Sequence, residues 1–288
     1  MRSRRQFIKL AGSGALAAGA STVYGYPVPV VPAKKTTLPD RFEIGMAGYT
    51  FLNFNVQQTI EMMKRTGVKY LSIKDFHMPM NSTQEEINQV TGKFSESGIT
   101  VYTVGVIYMR TPESVEQAFE YARMAGVKMI VGAPNVELLP LVEKKIKEYD
   151  FRLAIHNHGP DNPLFPNATD IWNHVKDLDP RMGICLDIGH NLRDGEDPAT
   201  DILRYKSRIY DIHIKDVDKA SKEGKTVEMG RGLIDIPGVV AALRKINYTG
   251  KCSLEFEKDM KDPLAGIAES LGYFRGVMAC RQAELVAG

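Results

Sequence analysis

From Phe42 onward, short β-branched runs alternate with longer stretches of helical periodicity, and the alternation repeats eight times. The runs that read as strands are Glu43–Gly48, Tyr70–Lys74, Thr100–Val106, Met129–Gly132, Arg152–Asn157, Met182–Asp187, Tyr210–Lys215 and Cys252–Phe256. Helical periodicity predicts Val56–Thr66, Thr83–Ser97, Thr111–Ala125, Val136–Glu148, Ala168–Leu178, Pro198–Tyr205, Ile236–Ile246 and Pro263–Cys280. Thr83-Gln84-Glu85-Glu86 has the form of a capping box, and Pro112 suits a first helical position. Eight β/α units in about 250 residues is the count of a closed (β/α)8 barrel. An open doubly wound sheet needs fewer strands and a glycine-rich phosphate loop after the first. Gly45-Met46-Ala47-Gly48-Tyr49 is not that fingerprint. The expectation is an α/β chain with one domain, a (β/α)8 TIM barrel over residues 41–288.

The chain before that rhythm has another character. Ser3-Arg4-Arg5-Gln6-Phe7-Ile8-Lys9 precedes a small apolar run from Leu10 to Ala20. This resembles a twin-arginine export signal over residues 1–20, ending at Ala18-Gly19-Ala20, and it predicts a periplasmic location. The apolar run is too short and too rich in Gly and Ala for a membrane span, so none is expected in the mature form. Residues 21–40, rich in Pro and Val, read as a linker. Residues 1–20 hold Arg2, Arg4, Arg5 and Lys9 and no acid, so without these four bases the net charge of +2 becomes −2. The basic balance therefore belongs to the signal, and nucleic-acid binding loses its support. Cys185, Cys252 and Cys280 indicate no disulfide framework.

Five of the six histidines close strand-like runs: His77, His156, His158, His190 and His213. In a parallel barrel those ends converge on one mouth. Strands five to eight end in turn with His156, Asp187, His213 and Glu255. Two imidazoles and two carboxylates suit one divalent ion, Mn, Co, Fe, Zn or Ni, and less well Mg. Such an ion acts as a Lewis acid on a carbonyl and stabilises an enediolate. Glu257 shares the strand parity of Glu255 and is the alternative ligand. His77 and the neighbouring Lys74 are expected to contact the substrate, His77 through a hydroxyl, and Tyr49 to line the pocket. Trp172 and His174 read as packing and solvated helix positions. Two connections are long, His158–Asn167 with three prolines and Asp216–Leu233 with three glycines, and such loops cover the catalytic face of a barrel.

Several motifs together resemble the xylose-isomerase-like barrel superfamily, in its sugar phosphate isomerase/epimerase branch. They are Cys185-Leu186-Asp187-Ile188-Gly189-His190, Asp211-Ile212-His213-Ile214-Lys215-Asp216, Met229-Gly230-Arg231-Gly232 with Asp235, and Ser253-Leu254-Glu255-Phe256-Glu257. The resemblance runs from about Phe42 to Arg275. It implies metal ligands at Asp187, His213 and Glu255, and substrate contacts at His190, Lys215 and Arg231. The family's fourth ligand is a glutamate in a Glu-x-His context, where this chain has His156-Asn157-His158. His156 thus falls on the ligand position and His158 on the proton-transfer position, with the reverse assignment open.

The family's 3-epimerases use two glutamates as bases on opposite faces of the substrate, and His156 replaces one of them. The resemblance and the strand ends predict a metal-dependent isomerase or epimerase of an unphosphorylated sugar or keto-sugar. Its catalytic residues are His158, Glu255 and His190. The alternative is a lyase or dehydratase eliminating from a 3-keto-glycoside or keto-sugar. A non-catalytic sugar-binding barrel is the reading from a different class. The expected partner is a small sugar or glycoside. An oligomer is compatible with the sequence, which sets no order for it.

Overall fold

The computed structural model describes residues 40–280. The predicted signal and all of the predicted linker but Asp40 lie outside the described residues. The barrel strands are β1 (Glu43–Ala47), β2 (Tyr70–Ile73), β3 (Thr100–Met109), β4 (Met129–Pro134), β5 (Arg152–His156), β6 (Met182–Asp187), β7 (Ile209–Ile214) and β8 (Lys251–Leu254). The helices are α1 (Val56–Thr66), α2 (Gln84–Glu96), α3 (Pro112–Met124), α4 (Leu139–Tyr149), α5 (Ala168–Val175), α6 (Ile188–Arg193), α7 (Pro198–Arg204), α8 (Ile236–Lys245) and α9 (Leu264–Ala279). The eight strands pair in parallel and in chain order, and β8 closes the barrel on β1. The chain is a (β/α)8 TIM barrel, as its rhythm predicts.

Local chemistry sets where the helices start. Thr83 accepts from the Glu86 amide while the Glu86 carboxylate accepts from the Thr83 amide at 2.8 Å, so both orphan donors of α2 are satisfied. Thr111 caps α3 in the same way, with Pro112 supplying a φ already suited to the first turn. Asn55 and Gln58 form a third reciprocal cap on α1. The apolar faces of these helices bury Ile60, Met63, Ile87, Phe94 and Phe119 around the strands.

Strand parity then builds the barrel interior in layers. Register pairs His156 with Cys185, Asp187 with His213, and Ser253 with His213. Residues two apart on a strand face the same way. Ala154, Cys185, Asp211 and Ser253 therefore form one layer, and His156, Asp187, His213 and Glu255 stand in the next, toward the C-terminal mouth. In the lower layer the Tyr102 hydroxyl donates to Asp211 Oδ2 at 2.8 Å and meets Ser253 Oγ at 2.7 Å.

The structure corrects several sequence boundaries. β3 runs on to Met109, which carries Tyr108 to the mouth. Val136–Leu138 is a 3-10 turn ahead of α4, and α5 stops at Val175. Helix α6 was not expected: it starts directly at Asp187, whose Oδ1 accepts from the His190 amide at 2.7 Å. The Asp216–Leu233 connection is not structureless, because Asp216–Val217 and Thr226–Val227 form an antiparallel hairpin. The other long loop folds back on itself. The His158 amide donates to Phe165 O at 2.9 Å, and buried Phe165 anchors the segment.

Asn191 ties α6 to its neighbours, accepting from the Ala168 amide at 3.1 Å and donating to Asp201 Oδ2 at 2.8 Å. Burial, helped by a hydrogen bond to Glu196, pushes the Asp201 carboxyl up to about 7. Below about pH 4 folded and unfolded chains both hold this proton. As the pH rises from 4 to 7 only the unfolded chain releases it, so stability falls through that window, by on the order of 4 kcal/mol in all. Asp201→Asn keeps a donor toward Glu196 and an acceptor toward Asn191. It is expected to raise the melting temperature at pH 8 by at least roughly 2–4 °C, the equivalent of about 1 kcal/mol. The gain should vanish near pH 4, as followed by circular dichroism. An equal gain at both pH values would refute the titration.

Candidate active site

Four ligand-type side chains converge at the mouth, and their ligand atoms all lie within 4.8 Å of one another: His156, Asp187, His213 and Glu255. His156 Nε2 stands 3.0 Å from His213 Nδ1, 3.7 Å from Asp187 Oδ2 and 3.9 Å from Glu255 Oε2. His213 Nδ1 is 3.5 Å from Glu255 Oε2. Atoms about 2.1 Å from a shared ion sit about 3.4 Å apart in a tetrahedron, so the separations match a metal cradle. All four residues are buried.

Charge supports the same fit. The Lys215 ammonium lies 2.9 Å from Glu255 Oε2 and 3.0 Å from Asp187 Oδ2, and bonds Glu257 as well. Three carboxylates thus surround one ammonium in a buried place. Buried charge needs pairing, and a divalent cation would answer the excess. Asp187 Oδ2 is buried and ion-paired to Lys215, but accepts no aligned hydrogen bond. Gly189 makes this arrangement possible, because a Cβ there would fall 2.4 Å from Lys215 Cγ.

The imidazoles are pulled in opposite directions. Burial carries His158 and His190 each down to about 3 and lowers His156 as well, so these rings are neutral at pH 7. Burial also opposes charge on His213, but Cys185 and the Glu255 carboxylate beside it together outweigh burial, and His213 rises above its ordinary range. Lys215 and His213 hold Glu255 below the usual carboxylate range against its burial, whereas burial raises Glu257.

A cleft of about 220 Å³ opens above the cluster, walled by Tyr49, Lys74, Tyr108, His158, His190 and Glu257, with His156 and Glu255 at its base. The Tyr108 hydroxyl and His158 Nε2 are 2.7 Å apart, while His158 Nδ1 is sealed inside. Tyr108 is 42% exposed, and Arg110 lies over its ring. Lys74 donates to Val106 O. His190 begins beside Asp187 and presents Nδ1 to Arg193 at 3.1 Å.

Two expected substrate contacts lie elsewhere. His77 is buried, with Nε2 held by Phe54 O at 2.9 Å and Thr59 Oγ1 at 3.2 Å, and it does not line this cleft. Arg231 is exposed and forks onto Glu269 of α9. Its motif serves Asp216 instead, whose carboxylate accepts from the amides of Gly230, Gly232 and Ile234 at 2.9, 3.0 and 3.1 Å. Lys215, also expected at the substrate, is anchored among the carboxylates. Trp172 packs against Tyr205, and His174 is partly exposed near Asp170.

Tyr108 and Asn157 escaped the sequence reading. Asn157 clamps β5 to β6, accepting from the Asp187 amide at 2.7 Å and donating to Asp187 O at 3.0 Å. A polar side chain between two strand-end histidines was the available signal. Tyr108 gave none, because its strand outran the expected boundary.

A closed parallel barrel with a His/Asp/Glu cluster at its C-terminal mouth defines a class, and sequence comparison agrees with it. The xylose isomerase-like TIM barrel family model matches residues 55–277, and the chain belongs to that family. An inosose dehydratase from Lacticaseibacillus casei is 27% identical over 130 residues, 40% of this chain and 43% of that protein. The match thus spans under half of the curated relative. Among solved structures, an uncharacterised protein from Parabacteroides distasonis is 26% identical with a TM-score of 0.65, over 82% of this chain and 99% of that one. The IOLI protein, solved with a zinc atom, has a TM-score of 0.69 at 16% identity, over 83% and 98%. The 3-keto-D-glucoside 4-epimerase of E. coli has a TM-score of 0.66 at 17% identity, over 82% and 99%.

Proposed function

We propose that this chain is a metal-dependent lyase that eliminates from an unphosphorylated keto-sugar or keto-glycoside. The observation that carries the reading is the Tyr108–His158 pair, which faces the ligand cluster across one small cleft. His156, Asp187, His213 and Glu255 would hold a divalent ion, which supplies Lewis-acid chemistry at a carbonyl and so acidifies the neighbouring C–H. The zinc atom in the IOLI structure supports a metal in this fold.

His158 Nε2 is the nitrogen on the cleft side. In the tautomer that serves as base, the Tyr108 hydroxyl occupies its one lone pair and orients the ring, so the substrate C–H has to take that hydroxyl's place at the nitrogen. Burial keeps the imidazole unprotonated at pH 7 but also weakens it as a base, so the transfer depends on an acidified C–H. Glu257 and His190 line the same cleft, and Glu257, whose carboxyl burial raises, is the group able to hand a proton to a departing oxygen. Tyr49 and Tyr108 offer aromatic faces to the apolar side of a sugar ring. Glu255 is engaged by Lys215 and the ligand cluster. It is therefore poorly placed as the second, opposed base that epimerisation requires. The dehydratase relative supports elimination.

Epimerisation is the second reading, favoured by one observation. Glu257 stands in the same cleft with a carboxyl raised by burial, and could return a proton from the far side. The 4-epimerase neighbour shares the fold. Export to the periplasm belongs to the proposal, resting on Arg4-Arg5 and checkable by cell fractionation. Sugar phosphates are mainly cytoplasmic, which favours an unphosphorylated substrate.

Incubation of metal-loaded protein with 3-keto-glucosides and free ketoses in deuterated water tests these readings. Release of an alcohol with an unsaturated keto-sugar is the expected result. Deuterium in an intact epimer would transfer the assignment to the second reading. Neither product, with metal present, would remove both.

A further inference from the structure

We infer that the substrate is a two-ring glycoside whose second sugar unit sits under the Asp216–Val227 hairpin. The inference rests on the proposed reaction and names the substrate class of the same site. A second chamber, about 400 Å³, lies between that hairpin and the segment after β8. His190, Arg193, Lys225, Thr226, Glu257 and Lys258 line it. His190 and Glu257 also line the His158 cleft, so these two side chains stand between the two spaces, beside the ligand cluster.

Size separates one ring from two. Small-molecule sites usually run about 300–1,000 Å³, and the His158 cleft at about 220 Å³ falls short of that range by itself. Joined to the chamber it falls well within it. The chamber's chemistry suits hydroxyl groups, because cationic donors alternate with carboxylates and a threonine. Lys258 is paired with Glu228 at 2.9 Å, and Lys215 with the cluster, so the walls offer donors and acceptors in place of a bare positive field.

Arg193 is the positioning residue of this chamber. Its guanidinium donates to Lys222 O in the hairpin at 2.6 Å, bonds Asp161 in the turn after β5, and reaches His190 Nδ1. One side chain thereby pins the roof to the wall shared by both spaces, and its Nε is buried without a partner. With the reacting ring in the His158 cleft, the bond to the second unit crosses the shared border. Loss of the C–H proton to His158 forms the C=C bond beside the carbonyl. The C–O bond to the second unit breaks, and its oxygen takes a proton from the bordering acid. The second ring leaves through the chamber as a free sugar.

Thr226→Trp fills the chamber without touching the His158 cleft. For a 3-keto-disaccharide it should lower kcat/KM by at least about tenfold, while the methyl 3-keto-glucoside stays within about threefold. The wild type should prefer the disaccharide. Calorimetric binding of the unoxidised disaccharide and methyl glucoside to both proteins provides a readout independent of turnover, and Thr226→Trp should weaken only the disaccharide. Equal effects on both ligands, or none on either, would overturn the second-ring site. Loss of turnover on both substrates with selective binding intact would sink the proposed reaction and leave the site standing.

Discussion

Asp187→Asn and His213→Ala are each expected to strip the divalent ion from the protein and abolish turnover. His213 Nδ1 is within 3.0 Å of His156 Nε2 and 3.5 Å of Glu255 Oε2, and Asp187 Oδ2 is 3.7 Å from His156 Nε2. Removing one of four converging ligand atoms leaves three, and it also reduces the negative charge or basicity that attracts a cation. Loss of a mere outer-shell partner costs about 10–100-fold in metal affinity, so loss of a ligand should cost at least about 100-fold. Turnover should fall by about 10³-fold or more, on the order of 4 kcal/mol of barrier. Asp187→Asn is the more controlled of the two, because its remaining oxygen still caps α6 through the His190 amide. Elemental analysis and metal titration of the purified variants provide the measurement. Wild-type metal content and affinity in both variants would refute the cradle.

His158→Ala should behave in the opposite way, retaining the metal and losing the reaction. Its Nε2 lies beside Tyr108, outside the four-residue cluster, and a general base contributes about 10²–10⁴-fold. Tyr108→Phe should cost less, about tenfold, because it removes the orienting hydroxyl and leaves the base. The decisive comparison is with His156→Ala, which should lose the metal. If His158→Ala loses the metal and His156→Ala keeps it, the two histidines exchange roles.

Much of the barrel was legible without coordinates. Each β/α unit is a local pattern. The strands read as β-branched runs, and Thr83, Thr111 and Pro112 marked helix starts by chemistry confined to one turn. Boundaries failed where a neighbour overrode local preference. β3 extends to Met109 because β4 pairs with it as far as Pro134. Helix α6 begins on Asp187 because that side chain caps it, a role invisible while the residue is read only as a ligand.

Strand-end position gathered the candidates, since a parallel barrel sends every such end to one mouth. Parity left Glu255 against Glu257 open, and the resemblance to the barrel family favoured Glu255. Distance was beyond that logic. Arg231 belongs to the same motif-rich stretch, yet it turns to Glu269, because Asp216 gathers the surrounding amides and the arginine is left on the outer side. His77 closes a strand like the others, but packing against α1 gives it Thr59 as a partner.

The sequence alone determined the barrel, its eight units and the ligand-type side chains that close strands five to eight, because periodicity and strand-end position are local and repeat along the chain. The tertiary structure decided which of those residues meet. It set Lys215 among three carboxylates, paired Tyr108 with His158, and placed His190 and Glu257 between two chambers. Those contacts span tens of residues and depend on loop paths and side-chain packing, which no local pattern encodes.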